Sequence, residues 1–178
     1  MPSSKGVKER DGLSYACEWV GQFFYHFSRM ERELDSCIGK VFELKIGPTS
    51  ILTAKMSVAA KITIVSAMIE SQMSGPKRTQ LQKLLNKIWA INDDRVVIAH
   101  STFTAAENNS VKFERLSLNK DGYELKTPIW TKSDFDRRFK HMEKWSTTLG
   151  NLVEQLEPYV PSLDFSDPRN SMYAALLF

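Results

Sequence analysis

Residues 77–100, KRTQLQKLLNKIWAINDDRVVIAH, carry the pattern that decides the predicted fold. Apolar residues recur there every three or four positions, at Leu81, Leu84, Ile88 and Ile91. This spacing is typical of a helix that buries one face. The same spacing continues to Arg95 and then Ile98. The sequence therefore predicts a helix that ends near His100 and carries an arginine on its buried side.

Three other segments show helical spacing: residues 13–44, which Gly47 and Pro48 should end, residues 54–73, and a last segment from Thr131. Residues 111–130 alternate instead and contain a glycine turn, which indicates a β-hairpin. Thr131 and Asp134 have the spacing of a capping box at the start of the last helix. We therefore predict an all-α fold, a four-helix up-and-down bundle with a small β-hairpin inserted before the last helix.

The expected organisation is a single domain, since 178 residues fit one hydrophobic core. Residues 1–12 are expected to be a flexible N-terminal segment, and residues 13–157 the bundle, with the hairpin at about 111–130. Residues 158–178 contain Pro161 and Pro168 and are expected to be an irregular C-terminal tail. The tail ends in the apolar sequence MYAALLF, which we expect to dock on the bundle or on a second subunit.

Charge and cysteine content narrow the expected location and partners. The net charge of +3 permits a nucleic-acid partner without requiring one. The start is polar, and no apolar run approaches the ~20 residues that span a bilayer, so we expect no membrane association. Cys17 and Cys37 lie roughly 30 Å apart on the predicted first helix, too far for a disulfide. Free thiols indicate a reducing compartment, the cytoplasm.

Patterns for metals and cofactors are absent from the sequence. The three histidines, His26, His100 and His141, fall in different segments, and none has metal-ligand spacing with a cysteine. Gly75 is followed by Pro76, so this turn does not supply the run of backbone amides that holds a phosphate. We expect neither a metal nor a cofactor.

Two basic clusters lie on the predicted third and fourth helices. They comprise Lys77, Arg78, Lys83 and Lys87, and then Arg137, Arg138, Lys140 and Lys144. Most such clusters are solvated helix faces. The alternative is a surface that contacts the RNA or DNA backbone. In that alternative the RNA-binding residues are Lys83, Lys87, Arg137 and Lys140.

Arg95 and His100 are the candidate catalytic pair. Arginine binds phosphate oxygens through its planar fork, and histidine, with a pKa near ~6.5, exchanges protons at neutral pH. Five residues apart on an ideal helix, they point about 140° away from each other. A distorted helix end or a cleft shared with a second subunit would bring them together. Otherwise Arg95 belongs to a buried ion pair and His100 is a cation near the helix C-terminus.

Glu31 lies in the apolar seam of the predicted first helix, where an unpaired carboxylate is costly. One interpretation is a structural ion pair with an arginine or lysine of a neighbouring helix. The other is that Glu31 orients Arg95 or His100. The sequence leaves both open.

The arrangement of these residues resembles the HEPN superfamily of helical bundles. Arg95 and His100 enclose four residues near the end of the third helix, and Ser101, Thr102 and Phe103 follow. The first-helix sequence FSRMEREL, residues 27–34, also looks like that of the family. The resemblance covers roughly residues 15–157. It implies a homodimer that acts on RNA, because many members are metal-independent ribonucleases with a cleft between two subunits.

The resemblance implies a role for each candidate residue. Arg95 would hold the scissile phosphate, and His100 would move a proton, leaving a 2′,3′-cyclic phosphate. Glu31, Asp94 and Ser101 would support this pair. Val96, however, stands where active members usually carry a polar residue. Two functions follow: an RNA-binding protein with endoribonuclease activity at a dimer cleft, or a non-catalytic helical protein-interaction module.

Overall fold

The computed structural model describes residues 5–120 and 122–158. Within these ranges the chain forms five helices and four strands. The helices are α1 (Lys5–Val41), α2 (Ile46–Thr53), α3 (Val58–Gln72), α4 (Gly75–Ala99) and α5 (Lys132–Val153). The strands, all between α4 and α5, are β1 (Thr102–Ala106), β2 (Ser110–Asn119), β3 (Gly122–Lys126) and β4 (Ile129–Thr131). Helix α1 begins before residue 13, where the flexible segment was expected to end. The expected C-terminal tail falls, from residue 159 onward, outside the described residues.

The prediction of an all-α bundle with a small hairpin is wrong, because the strands form a four-stranded antiparallel sheet. The expected hairpin is present as β2 and β3, but β1 pairs with the first half of β2 and β4 pairs there on the other side. The sequence pattern did not predict strand β1, because the strand is short and its hydrogen bonds are made to another segment, β2. Its turn into β2 contains Asn108 and Asn109, both with positive φ, which asparagine tolerates better than most residues.

The helices do not follow the predicted up-and-down order either. Helices α1 and α5 run parallel: Trp19 in the middle of α1 contacts Phe135 in the first turn of α5, and further along both helices the Cys37 thiol donates to the Leu149 carbonyl. The expected stop at Gly47 and Pro48 is also incorrect. Helix α1 already ends at Val41, and Pro48 lies in the first turn of α2, where its missing N–H costs no hydrogen bond.

The core forms where the apolar stripes of the long helices meet. Its fully buried side chains include Phe23, Leu34, Ile88, Met142 and Leu149. Burial of each large apolar side chain stabilises the fold by about 1.5–3 kcal/mol. Aromatic rings extend this core under the sheet. The ring centroids of Phe113 and Trp130 are 4.9 Å apart, and those of Trp130 and Phe135 are 5.5 Å apart. The sheet is therefore anchored at the first turn of α5.

Two local predictions are confirmed. The Thr131 hydroxyl accepts from the Asp134 N–H and the Asp134 carboxylate accepts from the Thr131 N–H, which completes the capping box of α5. Cys17 and Cys37 are both free, the first exposed and the second buried. Burial raises the pKa of the Cys37 thiol to about 12.

Among the described residues, no helix is both long enough and apolar enough to span a bilayer.

Candidate nucleic-acid interface

Helices α4 and α5 are antiparallel neighbours and leave a groove of about 350 Å³ between them, the α4–α5 groove. It is lined by Lys87, Ala90, Ile91 and Asp94 of α4 and by Arg137, Arg138, His141, Lys144 and Trp145 of α5. Two basic segments that are about fifty positions apart in the sequence thus face each other across one surface depression.

The predicted RNA-binding residues cluster at this groove. Lys87 and Arg137 line it. Lys83 is exposed one helical turn before Lys87, and Lys140 is exposed next to His141. Burial lowers the pKa of His141, and the positive charges of Arg137, Lys87, Lys144 and Lys140 lower it further. Both effects favour the neutral form of the imidazole.

Among the described residues that line the groove, one is acidic, Asp94, and it is already paired. Arg138 donates from Nε to Asp94 Oδ2 at 2.8 Å and from Nη2 to Oδ1 at 3.3 Å. The guanidinium carbon lies 3.9 Å from the centre of the Trp130 ring, and Nη1 donates to the Asp134 carbonyl. The carboxylate charge is thus compensated within the protein. Asp94 supports Arg138 in this structure and makes no hydrogen bond to Arg95.

An aromatic pair forms part of the groove wall. The ring of His141 lies on that of Trp145, with centroids 5.3 Å apart and planes 21° from parallel. Trp145 is only 7% exposed, whereas His141 is exposed. Sequence reasoning missed this pair. A signal for it was present, because residues 138, 141 and 145 have the spacing of a single helix face.

The predicted catalytic pair lies outside this groove. Arg95 is half-buried on α4, and His100 is exposed at the C-terminal cap of that helix. Among the described residues, neither side chain makes a hydrogen bond or an ion pair. The hydroxyl of Ser101 donates to the Val97 carbonyl at 2.6 Å, so it completes the helix end. A single copy of the chain therefore does not join Arg95 to His100 through any hydrogen bond.

Glu31 pairs with a lysine of a neighbouring helix, Lys61 of α3. The Lys61 ammonium lies 2.7 Å from Glu31 Oε1 and 2.8 Å from Asp35 Oδ1, the second contact being ionic without hydrogen-bond geometry. Burial alone would lower the pKa of Lys61, but the carboxylates of Asp35 and Glu31 outweigh it and raise that pKa. This is the structural alternative for Glu31. Sequence reasoning missed Lys61, whose signal was a lone cation inside an apolar helix.

A second cavity, of about 590 Å³, lies between α1 and α2. Glu31 and Asp35 line it together with Arg32, Lys40 and several hydroxyl side chains. Because both signs of charge are present and the two carboxylates face Lys61, this cavity has no strong preference for an anion. The α4–α5 groove is the better candidate for a polyanion.

Within the described ranges, no three histidine, cysteine or carboxylate side chains are grouped closely enough to hold a metal ion. Comparisons with known proteins add no assignment: the chain matches no protein-family model, and no curated protein or solved structure is significantly similar to it.

Proposed function

We propose that the protein binds RNA, with the sugar–phosphate backbone following the α4–α5 groove. The observation that supports this is the convergence of Lys87 from α4 with Arg137 and Lys144 from α5 on one depression. Lys83 and Lys140 extend the positive surface beyond it. Each phosphate that meets a lysine or arginine releases counterions from the nucleic acid, which drives binding. The pairing of Asp94 with Arg138 compensates the acidic residue that lines the groove.

The test is fluorescence anisotropy with a labelled mixed-sequence RNA at several salt concentrations. Alanine at Lys83, Lys87, Arg137 or Lys140 should weaken binding and flatten the dependence of log K on log salt by roughly 0.7–0.9 per lost phosphate contact. Lys55→Ala is the matched control, because Lys55 is also exposed but lies between α2 and α3. If polyglutamate of equal charge displaces the RNA, the proposal is contradicted, and an acidic protein becomes the better candidate for the ligand of the groove.

Cleavage at Arg95 and His100 is the narrower part of the proposal. Both side chains are without a hydrogen-bond or ion-pair partner among the described residues, so they are available to RNA or to a second copy of the chain. We propose that Arg95 binds the scissile phosphate and His100 transfers the proton, with the partner copy completing the cleft. RNA incubated in chelator should then yield 2′,3′-cyclic ends. Arg95→Ala and His100→Ala should each abolish these cyclic ends. Cleavage that neither substitution affects would contradict the proposal that this pair is catalytic.

Protein association is the second candidate function, and the outer face of the β2–β3 hairpin favours it. Leu116 lies opposite Leu125 and Leu118 opposite Tyr123, and all four are 61–77% exposed. Exposed apolar patches commonly mark interaction sites. A second copy is the partner we propose, because a face that is apolar on both strands is self-complementary about a two-fold axis. Light scattering should show a dimer that Leu118→Glu dissociates, whereas a strict monomer would contradict this candidate.

The resemblance to the HEPN superfamily stays a prediction, as does a cytoplasmic location. The location is supported by the two free cysteines, since thiols persist in reducing compartments. The resemblance rests on the position of Arg95 in the last two turns of α4 and of His100 at the C-terminal cap of that helix.

A further inference from the structure

We propose that the α4–α5 groove selects single-stranded RNA by stacking one unpaired base on the imidazole of His141. This inference rests on the proposed binding of RNA at the groove and names the form of RNA that is bound. Three observations support it: a fixed aromatic ring, cations on both sides of that ring, and a groove of the size of one nucleotide.

The ring of His141 is held in place from below. Trp145 is almost fully buried, and His141 lies nearly parallel to it with centroids 5.3 Å apart. The indole restricts the rotation of the imidazole because it covers one of its faces. His141 is nevertheless exposed, so part of its surface is accessible to a ligand. A flat ring that is already oriented loses little conformational freedom when a base stacks on it.

The charges around His141 suit the phosphates on either side of a stacked base. Lys87 lies on the opposite helix, while Arg137 and Lys144 lie on α5, one turn before and one turn after the ring. Burial and these cations lower the pKa of the imidazole and so favour its neutral form. A neutral ring stacks on a base without losing the hydration of a charge. Proteins that bind single strands combine the same two elements, basic residues for the backbone and rings for the bases.

The size of the groove argues against a duplex. A volume of about 350 Å³ admits one nucleotide unit between α4 and α5, not the stacked pairs of a double helix. In an A-form duplex the base faces are covered by neighbouring pairs, and only edges and the backbone are accessible. At one end of the groove Arg138 is fixed by Asp94 and Trp130, so this wall does not open easily. Duplex RNA would therefore make only phosphate contacts.

The experiment measures anisotropy with three labelled RNAs of equal total phosphate number: a single strand, a duplex of half its length, and a single strand with abasic positions. The wild-type protein should bind the single strand about tenfold more tightly than either other RNA, the effect of one lost stack. His141→Ala should reduce single-strand binding to the abasic level and leave abasic binding unchanged. His141→Phe should retain the preference. Tyr25→Ala, an exposed aromatic residue on α1, is the control.

Each other result overturns the inference in a distinguishable way. Equal wild-type affinity for all three RNAs would exclude stacking while leaving phosphate binding intact. An equal loss of affinity for all three RNAs in His141→Ala would contradict base stacking, because a lost stack weakens only the RNA that offers an unpaired base. Absence of binding to any of the RNAs would overturn the proposed function itself.

Discussion

Arg138 and Asp94 form a bidentate ion pair that joins α5 to α4 beside the sheet. Both nitrogen–oxygen distances fall at or below 3.3 Å, and the guanidinium carbon also lies 3.9 Å from the centre of the Trp130 ring of β4. Arg138 is 14% exposed, so water competes little for its donors. One side chain thus holds together two helices and a strand, and it sets the width of one end of the α4–α5 groove.

Arg138→Ala should destabilise the fold by about 1–3 kcal/mol, because it removes a charged hydrogen-bond pair and leaves Asp94 without compensation. Arg138→Lys should not restore stability, since lysine cannot form the two parallel bonds. The measurement is urea unfolding. Arg137→Ala is the matched control: its pair with Asp134 is exposed, and the change should stay within about 0.5 kcal/mol. Equal effects at the two positions would contradict the prediction.

Lys61→Met should destabilise the protein at neutral pH by about 3 kcal/mol, because Glu31 and Asp35 would then face each other without the ammonium. The pKa of Lys61 is raised in the folded state. Its contribution is therefore fully present below the unfolded pKa of ~10.4 and is lost as pH rises through the folded value. Unfolding at increasing alkaline pH should show this loss in the wild type and a smaller loss in the variant. Lys55→Met, at an exposed position, should behave as the wild type does.

Thr131→Ala should cost about 1 kcal/mol, since it removes one half of the capping box of α5. The pKa of Asp134 is lowered, first by the backbone N–H of Thr131 and then by its hydroxyl. This contribution is present above the unfolded pKa of ~3.9 and is lost as pH falls through the folded value. Acid unfolding of Thr131→Ala should therefore show a shallower loss of stability. Thr147→Ala, in the exposed middle of α5, should cost less than the cap substitution.

Gly39→Ala should destabilise the contact of α1 with α2 by about 1–3 kcal/mol. A β-carbon at Gly39 would lie 2.5 Å from Thr49 Oγ1 and 2.9 Å from its Cγ2. Gly21→Ala is the control on the same helix, because nothing lies within 4 Å there, and it should stabilise the protein by up to about 1 kcal/mol. The double variant Gly39→Ala with Thr49→Ala should recover part of the loss. Strict additivity of the two substitutions would exclude the clash.

Cys37 should resist thiol reagents in the folded protein. Its burial raises its pKa to about 12, so almost no thiolate forms at neutral pH, whereas Cys17 is exposed. Titration with a chromogenic disulfide should count one reactive thiol in the native protein and two in denaturant. Two reactive thiols without denaturant would contradict the structure.

The parts of the fold that the sequence predicted are those set by residues close together along the chain. The apolar spacing of Leu81, Leu84 and Ile88 made a helix evident, and the Thr131 and Asp134 spacing marked the start of α5. Strand β1 was missed because its hydrogen bonds come from β2, and a five-residue strand carries little pattern of its own. The same limit applied to the candidate site: the cations of α4 and α5 were recognised, but their shared groove was not.

The sequence by itself determined where the long helices lie approximately and which of their faces are buried, because periodicity depends only on neighbours along the chain. It did not determine which side chains of distant segments contact each other. That Glu31 contacts Lys61, that Asp94 contacts Arg138, and that His141 lies above Trp145 among cations from two helices were decided by tertiary packing. Which charge compensates another depends on how distant segments cross, and a pattern within a single segment contains no information on that crossing.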